Sequence, residues 1–385
     1  MSDKIRVGLI YGGKSGEHEV SLQTALAVIK AFDMNKYEIY PFYITKQGEW
    51  RSGPQLQSPV EHVSALTFSN GDGSQASFAL QPFFGTLDTA SKAEVAVSAV
   101  QDASLAPREG AQAHLDVVLP LLHGTFGEDG TIQGLLEMAN IAYAGAGVLA
   151  SAVGMDKIMM KKVFAQEGLP QCVFRHFTRT QWEKDQPYFL MEIEISIGYP
   201  CFVKPANLGS SVGISKARNR DELISAIQTA FQFDRKVIIE ENIDAREVEV
   251  AVLGNDEPRA SVVGEIVSSN EFYDYKAKYV DGKSSMIIPA QIPQELSDQI
   301  RELAIRAFQA VDGSGLSRVD FFLRKEDNAV FLNEINTMPG FTPFSMYPLL
   351  WNESGKPYRE LLDDLIALAL QRHAEKQKLQ YSFDV

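Results

Sequence analysis

At 385 residues the chain exceeds the roughly 250–300 at which a single hydrophobic core stops growing, so two or three domains are expected. Its 45% hydrophobic, 10% aromatic and 22% charged composition is that of an ordinary globular enzyme and excludes a disordered or fibrous chain. A formal net charge of −14 argues against a general affinity for nucleic acid, the first residues lack the layout of a signal peptide, and no stretch approaches a membrane span, so a cytoplasmic protein without nucleic-acid or membrane partners is expected.

In chain order, residues 5–11 read as a buried strand, 21–32 as a helix and 37–44 as a second strand, the rhythm of a parallel α/β sheet. Residues 52–110 are rich in Ser, Gly, Pro and Gln without a sustained period and read as irregular. A strand over 115–122 ends in His123-Gly-Thr-Phe-Gly-Glu-Asp-Gly130, whose glycines permit tight turns, and 131–139 has helical spacing. A helix from Met155 to about 167 and a strand over 200–205, running into Ala206-Asn-Leu-Gly-Ser-Ser-Val-Gly213, suggest a second, smaller domain. Beyond it, helices at 221–232, 294–311 and 358–378 alternate with strands at 236–240, 247–253, 316–323 and 330–334, an α+β pattern. The expected divisions are 1–125, 126–217 and 218–385. Cys172 and Cys201 are too few for a disulfide framework and too far apart for a zinc knuckle, so both are expected as reduced thiols.

Gly8-Leu-Ile-Tyr-Gly-Gly-Lys14-Ser15 satisfies the P-loop expression, but its context does not. A P-loop curls around phosphate directly after its first glycine, whereas Leu9, Ile10 and Tyr11 continue the strand and leave only Gly12-Gly13 to turn. Glu17 and Glu19 follow, where they would repel a polyphosphate. A P-loop phosphotransferase using Lys14 is therefore a remote reading.

The most informative segment is Ser317-Arg318-Val319-Asp320, followed by Glu334-Ile335-Asn336. Strand alternation puts Arg318 and Asp320 on one face, and Glu334 and Asn336 on one face of the next strand. A hairpin through residues 325–328 would converge all four. Two carboxylates and an amide oxygen are hard ligands suited to magnesium that also binds substrate phosphates; a solvated sheet face with a surface Arg–Asp pair is the alternative. Lys204 ends a strand before a loop with Gly209, Ser210, Ser211 and Gly213, which can close over phosphates with N–H groups and hydroxyls or serve as a flexible linker.

Taken together, Gly12-Gly-Lys-Ser-Gly-Glu17-His-Glu-Val-Ser21, the His123–Gly130 run, Met155-Asp-Lys157, Phe202-Val-Lys204-Pro, Gly209-Ser-Ser-Val-Gly213, Tyr273-Asp-Tyr…Ala-Lys278-Tyr279, Arg318-Val-Asp320 and Glu334-Ile-Asn336…Pro-Gly340 resemble the D-alanine–D-alanine ligases of the ATP-grasp superfamily. The likeness spans nearly the whole chain in the family's order. It implies a three-domain ATP-grasp fold: an N-terminal parallel α/β substrate domain, a small central domain and a C-terminal domain carrying the metal and substrate site. The implied activity is ATP-dependent joining of two D-alanines through an acyl phosphate, for the bacterial cell wall, in a homodimer.

The resemblance further implies that Lys157 and Lys204 lie near the ATP phosphates under the loop carrying Ser210 and Ser211. Glu240 and the backbone from Glu241 to Ile243 would hold the adenine, and Glu247 the ribose; many relatives carry Lys where this chain has Glu241. Asp320, Glu334 and Asn336 match the ligands of two Mg²⁺ ions, with Mn²⁺ possible, and Lys278 matches a residue at the phosphoryl site. Glu17 matches the partner of the first D-alanine's ammonium, with His123 bordering that subsite. Ser345 matches the residue holding the second carboxylate, and Arg318 with the Gly340 N–H the donors to the tetrahedral intermediate. Tyr279, expected to bond Ser210 and through it Glu17, favours dipeptide synthesis, since Phe there accompanies D-lactate ligation. Residues 271–283 and the Gly209 loop are expected to act as lids that exclude water. The alternatives are a D-alanine–D-lactate or D-alanine–D-serine ligase, and a non-catalytic nucleotide sensor on the same fold.

Overall fold

The computed structural model describes residues 4–68, 115–209, 212–267 and 285–381. Its first sheet contains β1 (Ile5–Gly12), β2 (Tyr37–Ile44), β3 (Trp50–Ser52) and β4 (Val117–Pro120) in the order β3-β2-β1-β4. β1 pairs in parallel with β2 and β4, and β3 adds an antiparallel edge. Being central, β1 is covered on both faces, and this is why its sequence is a continuous apolar run rather than an alternating one. The helix His18–Ala31 crosses from β1 to β2 and buries Leu22, Ala25, Val28 and Ile29 along one stripe. Gly8 lies inside β1, where a Cβ would stand 2.8 Å from Leu115; the turn comes only at Gly12 and Gly13, with φ of +92° and +96°. The P-loop resemblance is thus a strand, as its sequence context indicated.

The second sheet consists of β5 (Phe174–Thr178), β6 (Cys201–Pro205), β7 (Ser215–Ala217) and β8 (Lys236–Glu241), antiparallel in the order β5-β8-β6-β7. The helices Gln186–Ser196 and Arg220–Ala230 pack Ile193, Leu223 and Ile227 against its Val203, Phe177 and Ile239. The division expected at 217/218 cuts through this sheet: β8 and the helix Arg220–Ala230 belong to it, because their apolar faces complete its core. The division expected at 125/126 also moves. Ile132 and Leu136 of the helix Thr131–Met138 share a core with Ile10 and Phe42 of the first sheet. Cys172 and Cys201 are both free and buried.

The third sheet is antiparallel, with β9 (Ala245–Gly254), β10 (Arg259–Val267), β11 (Ser285–Ile287), β12 (Gly315–Arg324) and β13 (Val330–Asn336) in the order β11-β10-β9-β12-β13. One face packs on the helices Gln294–Ala310 and Lys157–Gln166 through Val248, Val250 and Val319. The opposite face changes character along the strands. Leu253, Ala251 and Leu316 join the core of the first unit, together with the helices Met346–Glu353 and Tyr358–Lys376. Farther along, Glu249, Glu247, Arg318 and Asp320 occupy the same face. The sheet is therefore sealed at one end and open to a polar cleft at the other.

Candidate active site

β12 and β13 form the expected hairpin, with Arg318 opposite Asn336 and Asp320 opposite Glu334. β9 adds a residue the sequence reading did not assign: Glu249 stands opposite Asp320, so Glu249, Asp320 and Glu334 form a row across three paired strands. Arg318 answers this negative row. Its Nε and Nη2 donate to the two Asp320 oxygens, each at 2.7 Å, and Nε lies 3.0 Å from Glu249. Burial alone would lower the guanidinium pKa, but Asp320 and Glu249 outweigh it and hold the group well above its usual value. Asn336 Nδ2 donates to Asp320 at 2.9 Å.

Lys157 enters from the first position of the helix Lys157–Gln166. Its start is fixed by Asp156, whose carboxylate accepts from the N–H groups of Ile158 and Met159 at 3.1 and 3.2 Å. The Lys157 ammonium donates to the Leu208 carbonyl at 3.0 Å and lies 3.5 Å from Glu334. Lys204 stands one residue before the end of β6 and donates to Glu240 at 2.5 Å. The Glu241 carboxylate accepts from the Val173 N–H at 2.6 Å, so this side chain ties the second sheet to the preceding loop.

On the first unit, Glu17 sits at the N-terminal end of the helix His18–Ala31. Ser21 Oγ holds that end to the sheet, accepting from the Gly12 N–H at 2.7 Å and donating to the Leu121 carbonyl at 2.5 Å. A Cβ on Gly124 would approach the Glu17 carboxylate to 2.8 Å, and one on Gly209 to 3.6 Å, so the start of the Gly209 loop lies over Glu17. His123 is buried, with Nε2 3.2 Å from Thr24 Oγ1 and Nδ1 3.2 Å from the Met338 carbonyl. Burial lowers its pKa, although Glu17 and that carbonyl pull the other way. Glu128 accepts from the Gly124 N–H at 2.9 Å; burial, with Glu17 nearby, pushes its carboxyl well above the usual range. Ser345 caps the turn before the helix Met346–Glu353, its Oγ 3.1 Å from the Thr342 N–H and 3.2 Å from where a Gly340 Cβ would stand.

These groups line two adjoining cavities. The first, about 590 Å³, takes in Glu17, His123, Arg318, Asn336, Gly340 and Ser345; the second, about 560 Å³, takes in Lys204, Glu240, Glu241, Ile243, Glu247 and Asp320. Lys157, Glu249 and Glu334 belong to both and form their common wall. Ser210, Ser211, Lys278 and Tyr279, with the 271–283 segment, lie outside the described residues. The sequence reading assigned no role to Glu249, Lys161 or Glu128, the last although it stands in the His123–Gly130 run. For Glu249 a signal existed, since the Glu247-Val-Glu249-Val alternation puts both carboxylates on one face; the Lys161-Lys162 pair reads as solvent-facing charge.

Three sheets among the described residues, a cleft between the second and third, and a cationic and acidic wall dividing two cavities define a ligase of the ATP-grasp type. Residues 6–146 match the family described as D-ala D-ala ligase N-terminus, and residues 163–367 the one described as D-ala D-ala ligase C-terminus. The D-alanine–D-alanine ligase of Bacillus cytotoxicus is 55% identical over 379 residues, covering 98% of this chain and 99% of that protein, and that of Geobacillus kaustophilus 54% identical over 380 residues, covering 99% and 98%. Among solved structures, the D-alanine–D-alanine ligase of Coxiella burnetii superposes with a TM-score of 0.76 at 32% identity, covering 98% of this chain and 97% of that one. A D-Ala:D-Ser ligase of Enterococcus faecalis superposes with 0.76 at 36%, covering 95% and 100%. The chain belongs to the D-alanine–D-alanine ligase family.

Proposed function

We propose that the protein joins two D-alanines into D-alanyl-D-alanine at the expense of ATP, for cell-wall precursor synthesis, with ATP in the second cavity and both amino acids in the first. The observation that carries this reading is the common wall of Lys157, Glu249 and Glu334, where a γ-phosphoryl group in one cavity can meet a carboxylate in the other. Lys204 and Lys157 supply positive charge to the phosphates, and the resemblance assigns Ser210 and Ser211 to the same task. Glu240, the 241–243 backbone and Glu247 line the part left for adenine and ribose. Asp320, Glu334 and Asn336 are an oxygen donor set that fits magnesium and would hold it there, where it would supply charge neutralisation to the phosphates.

The Glu17 carboxylate pairs with the ammonium of the first D-alanine beside His123. Its carboxylate takes the phosphoryl group to give an acyl phosphate, and the amine of the second D-alanine, whose carboxylate Ser345 holds, displaces phosphate. Arg318 and the Gly340 N–H face the oxygen that gains charge in that step. Asp320 engages the Arg318 guanidinium through both oxygens, so a metal held by Asp320 would have to share that carboxylate with Arg318. In a coupled assay, ADP and phosphate release should depend on both D-alanine and Mg²⁺, with mass spectrometry identifying the dipeptide among mixed D-amino and D-hydroxy acids. Turnover indifferent to D-alanine would refute the assignment, and preferential use of D-serine or D-lactate would move the chain to the alternative product. We assign Tyr279 to that choice, and the assembly to a homodimer.

A further inference from the structure

Behind the second cavity, two lysines share one carboxylate. Lys161 follows Lys157 by one helical turn but points inward, with 1% exposure, and its ammonium lies 3.2 Å from Glu240 Oε1. Glu240 is itself 2% exposed, and its Oε2 receives the Lys204 ammonium at 2.5 Å. Lys161 also contacts the Cys172 sulfur at 3.6 Å and the Phe174 ring at 5.8 Å, but it borders neither cavity. The contact with Oε1 is an ion pair without an aligned hydrogen bond.

Two ammonium groups meet one carboxylate here, and Glu334 adds its field at Lys204 from the cavity side. Lys204 is the only one of the two lysines that lines the cavity, so it alone can reach an anion arriving there. Were Lys161 absent, Lys204 leaving Glu240 for a phosphate would strand a buried carboxylate. With Lys161 in place, Glu240 keeps a partner. Burial would raise the Glu240 carboxyl, but the two lysines outweigh it and hold the group at about 2, so it is ionised throughout the physiological range.

We propose that Lys161 is a positioning residue for nucleotide binding, retaining Glu240 from inside the protein so that Lys204 can turn from that carboxylate to an ATP phosphate. This rests on the second cavity being the nucleotide site. In the full-length enzyme, Lys161→Met should raise the Kd for ATP and the KM for ATP about tenfold, while the KM for D-alanine stays within about twofold. Lys161→Arg, which keeps a positive charge beside Glu240, should recover most of the ATP affinity that Lys161→Met loses, whereas a lysine needed only for packing would not be rescued by the bulkier guanidinium. It also serves if Lys161→Met fails to fold. An unchanged Kd in Lys161→Met, or a folded Lys161→Arg binding ATP as weakly as Lys204→Ala, would overturn the proposal. The two readings separate cleanly: if Lys204→Ala leaves ATP affinity intact, the nucleotide assignment of the cavity fails, whereas loss in Lys204→Ala without loss in Lys161→Met removes only the role of Lys161.

Discussion

Arg318 shows how much a single side chain carries here. Its planar fork meets both oxygens of Asp320 while Nε also faces Glu249, a geometry that a point-charged ammonium cannot reproduce. Arg318→Lys should therefore keep the fold but lower kcat by about 10²–10³, the usual effect of removing one donor to a developing oxyanion. Steady-state kinetics beside a thermal melt checks this; a loss of less than about threefold would remove Arg318 from the reacting atoms. His123 is the complementary case, a buried ring whose pKa in the folded protein lies below its unfolded value near 6.5. A depressed pKa means stability that is complete above about 6.5 and is lost as the pH falls below it. Melting points between pH 7.5 and 5.5 should decline less in His123→Gln than in the parent, and parallel declines would show that other groups set the acid limb.

Among elements, the turn closing β1 is the most constrained. Gly12 has φ of +92°, and a Cβ there would lie 2.2 Å from the Ile44 carbonyl oxygen, so the strand, the Ser21 contact and the position of Glu17 depend on this residue together. Gly12→Ala should cost roughly 2–4 kcal/mol, read as a lower urea midpoint with an unchanged slope; a midpoint within error of the parent would mean that the turn relaxes freely. This turn, the β12–β13 hairpin and the long helices were legible in the sequence because each is written locally, as glycines, as alternation or as helical spacing. β3, β5, β7, β10, β11 and the helices Val148–Met155, Arg179–Lys184, Gln186–Ser196 and Met346–Glu353 were not recognised. β3, β5, β7 and β11 are short edge strands that carry too few residues to show a period, and Gln186–Ser196 leaves Tyr188, Met191 and Ile195 exposed, which blurs its apolar stripe. The site was legible where strand alternation placed carboxylates. Lys161 was not, because only the tertiary fold reveals that a lysine in a charged run points inward.

At the scale of the molecule, the domain divisions drawn from sequence fail for one reason: hydrophobic cores, not composition shifts, decide what belongs together. The first unit shares its core with Leu253, Leu316, Tyr347, Leu361 and Leu365, residues supplied by strands and helices far along the chain. The last long helix, Tyr358–Lys376, anchors Arg372 between the Tyr143 and Gly145 carbonyls, with its guanidinium 4.5 Å from the Tyr143 ring. A ribosome making this protein thus releases its opening β-strands hundreds of residues before their final packing partners exist. The amino-terminal part must wait, partly uncovered, until the carboxyl-terminal helices emerge, so a chain that stops short of them would be defective at its beginning as much as at its end.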